Sequence, residues 1–291
     1  MKATVSLLVT DLDNTLYDWV AMWHKSFSAM LDILIAKSGV PRHDLESEIK
    51  TIFQRYGTSE YAFVIEEIPS LKIKHKNEDL TIVYQDAIAA YRTARESSLR
   101  LYPGVIETLK AVKKNGCIIV AYTESMEFYT RTRIKSLGLD GLIDYVYSPP
   151  DHDKPESIAS RHKNGLYKLQ HTIQRFTPFG EYKPNPEILL KIISDDGIHA
   201  SRENTIYVGD NIMKDVKMAQ DAKVIDVHAK YGVAAHTEEY NVLRRVTHWT
   251  QEDVDREKTY LAGDIIVPTY VIESSLSQLL NYFDFIQHKR F

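Results

Sequence analysis

The sequence predicts an α/β protein, a doubly wound parallel sheet interrupted near its start by an all-helical insertion. Three observations carry this. The stretch from Val5 to Tyr17 opens with a short apolar run that delivers two carboxylates, Asp11 and Asp13, at its end. Residues 16–101 then show helical spacing and no strand pattern. From Cys117 onward, strand-like and helix-like segments alternate regularly.

The first run is too short for a stable isolated helix and fits a buried strand of a parallel sheet. After Tyr17 the spacing changes: Trp19, Trp23, Phe27, Met30, Leu31 and Leu34 recur three or four residues apart until Ser38, Gly39 and Pro41 stop the helix. Further helical stretches follow at Arg42–Tyr56, Glu60–Glu67 and Asn77–Arg100. Pro103-Gly104 marks the return, and Asn115-Gly116 ends the helix Val105–Lys114. Then come CIIVAY, a helix over Glu127–Leu137, YVYS, a helix over Glu187–Ile193, TIYVG, a short helix and KVIDVHA. Units of this length imply right-handed crossovers in a parallel sheet. The polar segment Pro149–Glu181 is too long for an ordinary connection and reads as a surface insertion. Its His152, His162 and His171 lack metal-ligand spacing. Val233–Thr269 has helical pieces around Trp249 and no catalytic pattern; a strand at Thr269–Ile272 and a helix at Ser274–Ile286 close the chain.

With 291 residues, 44% hydrophobic and 26% charged, the chain can bury a large core, as one large domain or two smaller ones. A formal net charge of -4 argues against a general binder of nucleic-acid polymers. No stretch approaches a membrane span, and the residues ahead of Asp11 are too few for a signal peptide, so a cytoplasmic protein without a membrane partner is expected. The single cysteine, Cys117, lies in an apolar run and reads as a packing residue.

Two acids two residues apart cannot both sit in a dry interior without a cation or proton between them, so Asp11 and Asp13 suggest a metal site; their plainer reading is a turn and helix cap. Three more polar clusters follow in order. Thr123-Glu124-Ser125 comes after CIIVAY, where a hydroxyl and backbone N–H groups suit an anion. Lys183-Pro184-Asn185-Pro186 sets a positive charge just before a helix. Asp210 and Asp215 follow TIYVG. Any one cluster is ordinary, but all four in this order at one expected sheet edge form a joint signal, and that edge is where open α/β sheets bind ligands.

D-L-D-N-T, Y-T-E-S, K-P-N-P and G-D-N-I-M-K-D resemble the four motifs of the haloacid dehalogenase-like (HAD) hydrolase superfamily, in its phosphatase branch. The resemblance implies a Rossmann-like core at 1–15 and 102–291, with a surface insertion at about 149–181, and a helical cap at 16–101. It implies a Mg²⁺-dependent phosphatase acting on a small phosphorylated metabolite through an aspartyl-phosphate on Asp11. Mg²⁺ would be held by the Asp11 and Asp210 carboxylates and the Asp13 backbone carbonyl. Asp13 would serve as general acid and base, which asks for a carboxyl above the usual range, while Thr123, Glu124 and Lys183 bind the phosphoryl group and Asp215 orients Lys183 or a metal-bound water. A halide leaving group needs no proton, so a second Asp at 13 favours phosphoryl transfer over dehalogenation. The alternatives are a phosphomutase using the same intermediate and an inactive scaffold on the same fold. Two features depart from the family pattern. The long insertion holds a second Lys-Pro pair at Lys154, and Glu124 stands where many members carry Asn, so that its carboxylate is expected to point away from the phosphate.

Overall fold

The computed structural model describes residues 2–151, 168–250, 252, 255 and 266–289. Its sheet is built from β2 (Leu7–Thr10), β3 (Ile118–Tyr122), β4 (Tyr145–Ser148), β5 (Ile173–Phe176), β6 (Thr205–Gly209), β7 (Ile225–Ala229) and β8 (Tyr270–Ile272). The order is β5-β4-β3-β2-β6-β7-β8, with every neighbour parallel. All four residues of β2 are buried, as its continuous apolar run requires of a strand covered on both faces. The chain builds outward from β2 first through β3 and β4, then through β6 and β7. The strand order therefore reverses at β2, and the crevice at such a switch point is the expected ligand site.

One face of this sheet packs Leu7, Val9, Val120, Tyr122 and Tyr207 against Ile188, Leu189, Ile192 and Ile193 of the helix Pro186–Ser194. Asn185 caps that helix by accepting the Ile188 N–H at 3.2 Å.

Several elements differ from the sequence reading, two of them in the sheets. The segment read as a surface insertion contains β5, which pairs with β4 at the sheet edge. Its residues IQRF are largely exposed and carry no apolar run, so nothing local marks them as a strand. Asp140 fixes its start instead, accepting the N–H groups of Gln170, His171 and Thr172 at 2.8–3.0 Å. The expected closing helix Ser274–Ile286 shortens to a 3₁₀ turn, Leu276–Gln278, and one helical turn, Leu279–Tyr282. It ends in β9 (Phe283–Phe285), which pairs in parallel with β1 (Ala3–Val5). Phe283 and Phe285 are buried with Asp284 exposed between them, a period of two that only a strand produces.

The chain divides into two compact units: Met1–Asp18 with Arg100–Val233 and Asp264–Phe291, and Trp19–Leu99 with Ala234–Gly263. The second is helical. Its core joins Trp23, Phe27, Leu31, Leu34, Leu45, Ile49, Phe53 and Tyr84 to Tyr240, Leu243 and Val246. The last three lie on the helix Glu238–Val246, which the sequence reading left with the sheet. The helix expected over Asn77–Arg100 is interrupted at Tyr84, giving Leu80–Val83 and Gln85–Ser98. No helix among the described residues is long and apolar enough to cross a membrane.

Candidate active site

Strand β2 runs directly into Asp11, whose N–H still donates to Val208 at 2.8 Å and so extends the ladder by one residue. Asp11 lies between two neighbouring strands, and its side chain is 12% exposed. Asn14 adopts a left-handed φ of 58°, a conformation Asn tolerates, and turns the chain over Leu12, whose carbonyl accepts the Thr15 N–H. The 3₁₀ turn Lys230–Gly232 supports this loop. Tyr231 donates to the Thr15 carbonyl at 2.7 Å, and a Cβ on Gly232 would lie 1.7 Å from the Asn14 carbonyl oxygen.

Lys183 reaches into the same place from the loop before the helix Pro186–Ser194. Its Nζ donates to Asp11 Oδ1 at 2.8 Å and to Asp215 Oδ1 at 3.0 Å, with the side chain 3% exposed. The rings of Tyr122 and Tyr207 lie 5.0 and 5.5 Å from the ammonium. Asp215 is itself fixed, accepting the Tyr207 hydroxyl on Oδ1 and the Asn211 N–H on Oδ2, each at 3.0 Å. Gly209 permits this approach, because a Cβ there would come within 2.3 Å of the Asp215 carboxyl. Burial alone would lower the Lys183 ammonium, but Asp11 and Asp215 together hold it well above the ordinary lysine range.

Asp11, Asp210 and Asp215 bring carboxylate oxygens within 4.8 Å of one another. Burial pushes the Asp11 carboxyl up to about 7; Lys183 pulls against the rise, while Asp215 and Asp13 add to it. Asp210 is likewise raised, by burial first and then by Asp215 and Asp11. One lysine thus faces three acids, an excess of negative charge with hard oxygen donors, which suits a divalent cation such as Mg²⁺. Because both Asp215 oxygens already accept hydrogen bonds, the acceptors left for an ion are chiefly those of Asp11 and Asp210. The Asp210 carbonyl contacts His228 Nε2 at 3.0 Å.

Glu124 has both carboxylate oxygens engaged. Oε1 accepts the Lys183 N–H at 2.7 Å, and Oε2 pairs with Lys214 Nζ at 2.5 Å. Burial would raise this carboxyl, but Lys214 and then Lys183 outweigh it and hold it below the usual range. The acid that departs from the family pattern ties down the lysine loop. The buried Thr123 places its hydroxyl oxygen 3.0 Å from the Ser125 N–H.

The Asp13 side chain turns away from the three clustered acids. Oδ2 accepts the Ser125 hydroxyl at 2.6 Å, and Oδ1 accepts Arg133 Nη1 at 3.2 Å. A part for Asp13 in holding a cation would therefore fall to its backbone carbonyl. Arg133, Tyr207 and His228 carry no signal in the sequence, and Ser125 and Lys214 stand inside two of the motifs with no role of their own. Arg133 could have been found: it lies three residues after Thr130 and beside Ile134, on the buried face of its helix, where an unpartnered charge is not tolerated. His171 is exposed, whereas His152, His162 and Lys154 lie outside the described residues. Cys117 is buried, and burial lifts its thiol to about 12.

Acids at the carboxyl ends of β2 and β6, joined by a buried lysine, form the kind of cluster found where open α/β sheets bind ligands. The family model of haloacid dehalogenase-like hydrolases matches residues 5–223, and the chain belongs to that family. It is 20% identical over 231 residues to a glyceraldehyde 3-phosphate phosphatase of Methanopyrus kandleri, across 78% of this chain and 85% of that protein. Among solved structures, a HAD phosphatase from Thermococcus onnurineus superposes with a TM-score of 0.52 at 18% identity, covering 99% of this chain and 100% of that one. A 2-haloacid dehalogenase from Pseudomonas syringae pv. Tomato DC3000 gives 0.53 at 18% identity, covering 96% and 97%. Neighbours with different named chemistries fix the fold and leave the reaction to the site.

Proposed function

We propose that this enzyme is a Mg²⁺-dependent phosphatase that hydrolyses a small phosphate monoester through an aspartyl-phosphate on Asp11. The observation that carries the reading is the chain Asp11–Lys183–Asp215, a buried carboxylate 2.8 Å from a buried ammonium that a second acid aims. Asp11 attacks phosphorus without first losing a proton, and the bond from phosphorus to the ester oxygen breaks. Asp13 protonates the departing alkoxide, then takes a proton from the water that attacks the aspartyl-phosphate; phosphate leaves and Asp11 returns as a carboxylate. Lys183 and the Thr123 hydroxyl hold phosphoryl oxygens, joined by the Glu124 backbone N–H. Mg²⁺, held by Asp11, Asp210 and the Asp13 carbonyl, would supply charge that offsets the clustered acids and the phosphoryl group.

The helical unit is inserted directly after the Asp11–Asp18 loop and would serve as the cap that selects the leaving group. A small cytoplasmic metabolite is the expected substrate. Phosphorylated three-carbon sugars come first in a substrate panel, following the name of the Methanopyrus relative.

The test is phosphate release from such a panel, with Mg²⁺, with Ca²⁺ and with excess chelator. Release is expected with Mg²⁺ alone, Ca²⁺ inhibiting because its looser shell misplaces the nucleophile. Full turnover in chelator would overturn the metal requirement. Isomerisation of a hexose phosphate without net phosphate release would replace hydrolysis by a mutase reaction.

A further inference from the structure

Arg133 is the largest charged side chain buried in the sheet unit, and at 2% exposure its guanidinium has left water almost entirely. Burying an ion is unfavourable by several kcal/mol unless well-placed partners compensate. Asp13 is a carboxylate partner, reached from Nη1 at 3.2 Å. The same nitrogen donates to Ser125 Oγ at 2.9 Å, and the Ser125 hydroxyl donates to the other Asp13 oxygen at 2.6 Å. Asp13, Ser125 and Arg133 thus close a triangle in which each carboxylate oxygen has its own donor, so the carboxylate cannot turn about its Cβ–Cγ bond without breaking one. The guanidinium is held in turn by the rings of Tyr17 and Tyr129, at 5.9 and 5.5 Å. Arg133 lies on the helix Glu127–Ser136, and Ser125, two residues ahead of it, is tied to that helix by the Thr130 hydroxyl, which donates to the Ser125 carbonyl at 2.8 Å.

We propose that Arg133 and Ser125 are positioning residues of the hydrolysis, holding the Asp13 carboxylate in the orientation from which it meets the leaving oxygen. The inference rests on the reading of Asp13 as the proton donor. An arginine needed only for folding would leave the reaction's dependence on the leaving group unchanged. A positioning arginine would not, because a misaimed donor matters most when the departing oxygen is a poor leaving group and little when it leaves unaided.

The experiment compares kcat/KM, which reports the steps through formation of the aspartyl-phosphate, on 4-nitrophenyl phosphate and on glycerol phosphate. The proteins are wild type, Arg133→Ala, Arg133→Lys, Ser125→Ala and Asp13→Asn, each checked by thermal melting. On glycerol phosphate, Arg133→Ala is expected to lose at least about tenfold, within the range set by a misplaced catalytic group. On 4-nitrophenyl phosphate it should lose less than about threefold, and Arg133→Lys should recover part of the difference. Ser125→Ala, a small change with no burden on folding, should show the same selectivity more weakly. Equal losses on both substrates in Arg133→Ala and Ser125→Ala would overturn the positioning role while leaving phosphatase function intact. Wild type inactive on both substrates, or Asp13→Asn without leaving-group selectivity, would overturn the reading of Asp13 and the positioning role with it.

Discussion

Asp11 and Asp13 leave the same strand two positions apart, yet the structure gives them opposite surroundings. Asp11 faces one lysine and two further acids, and burial carries its carboxyl up to about 7. Asp13 faces an arginine and a serine, and its side chain is the more exposed of the two. A strand's period of two would send both to one face, but the strand ends at Thr10, ahead of both, so that period does not govern Asp13. Two carboxylates of one type can divide the work of nucleophile and proton carrier because their neighbours differ, not because their chemistry does.

The largest blow to this division is Asp11→Asn. It is expected to lower turnover by about 10⁴-fold or more, the scale known for deleting a nucleophile. Asp13→Asn should cost at least about 10². Phosphate release, with circular dichroism to confirm the fold, decides both, and near wild-type activity in folded Asp11→Asn would end the mechanism.

Lys183→Ala tests the Asp11 side alone. Losing one preorganised donor should reduce kcat/KM by about 10² to 10³. A loss confined to KM would mean that the lysine binds ground state and transition state alike.

Gly232→Ala tests the turn that supports the loop just after the two acids. The added Cβ would meet a backbone carbonyl, which cannot move aside as a flexible side chain can, and the protein should lose about 1–3 kcal/mol of stability. Urea denaturation measures it, and an unchanged midpoint would show that the Lys230–Gly232 turn shifts freely.

The smallest effect is expected at Glu124→Gln, about 1 kcal/mol, and it depends on pH. The folded protein holds this carboxyl below its ordinary value of 4.5, so its contribution is complete above that value. It is lost as pH falls through the lower folded-state value. Melting temperatures of wild type and Glu124→Gln should therefore differ near neutral pH and converge in acid. A constant gap would show that the contact with Lys214 and the Lys183 backbone contributes through shape rather than charge.

Local sequence was informative wherever a residue's neighbours along the chain determine its environment. The apolar runs of β2, β3 and β6 require burial on both faces, and the polar residues that follow them, Asp11, Thr123, Asp210 and Asp215, fall at one sheet edge; Lys183 joined them through the Lys-Pro step ahead of the helix Pro186–Ser194. It was uninformative where a residue's role depends on a distant partner. β5 lacks an apolar run and exists because β4 offers it an edge and Asp140 anchors its start. The helix Glu238–Val246 could have packed in either unit by its pattern alone, and only the shared core with Leu45, Ile49 and Trp23 decides which.

What the sequence by itself determined is the parallel sheet, the helical insertion after Asp18 and the residue types at the sheet edge, because periodicity and turn chemistry are properties of neighbours along the chain. Tertiary structure alone decided that Glu124 clamps the lysine loop and that Arg133 reaches Asp13 across 120 positions; of the two roles the sequence left open for Asp215, it shows the contact with Lys183. The physical reason is that a buried charge is tolerated only beside its partner. Here folding brings those partners together from separate crossovers of the sheet, so no stretch of sequence contains both.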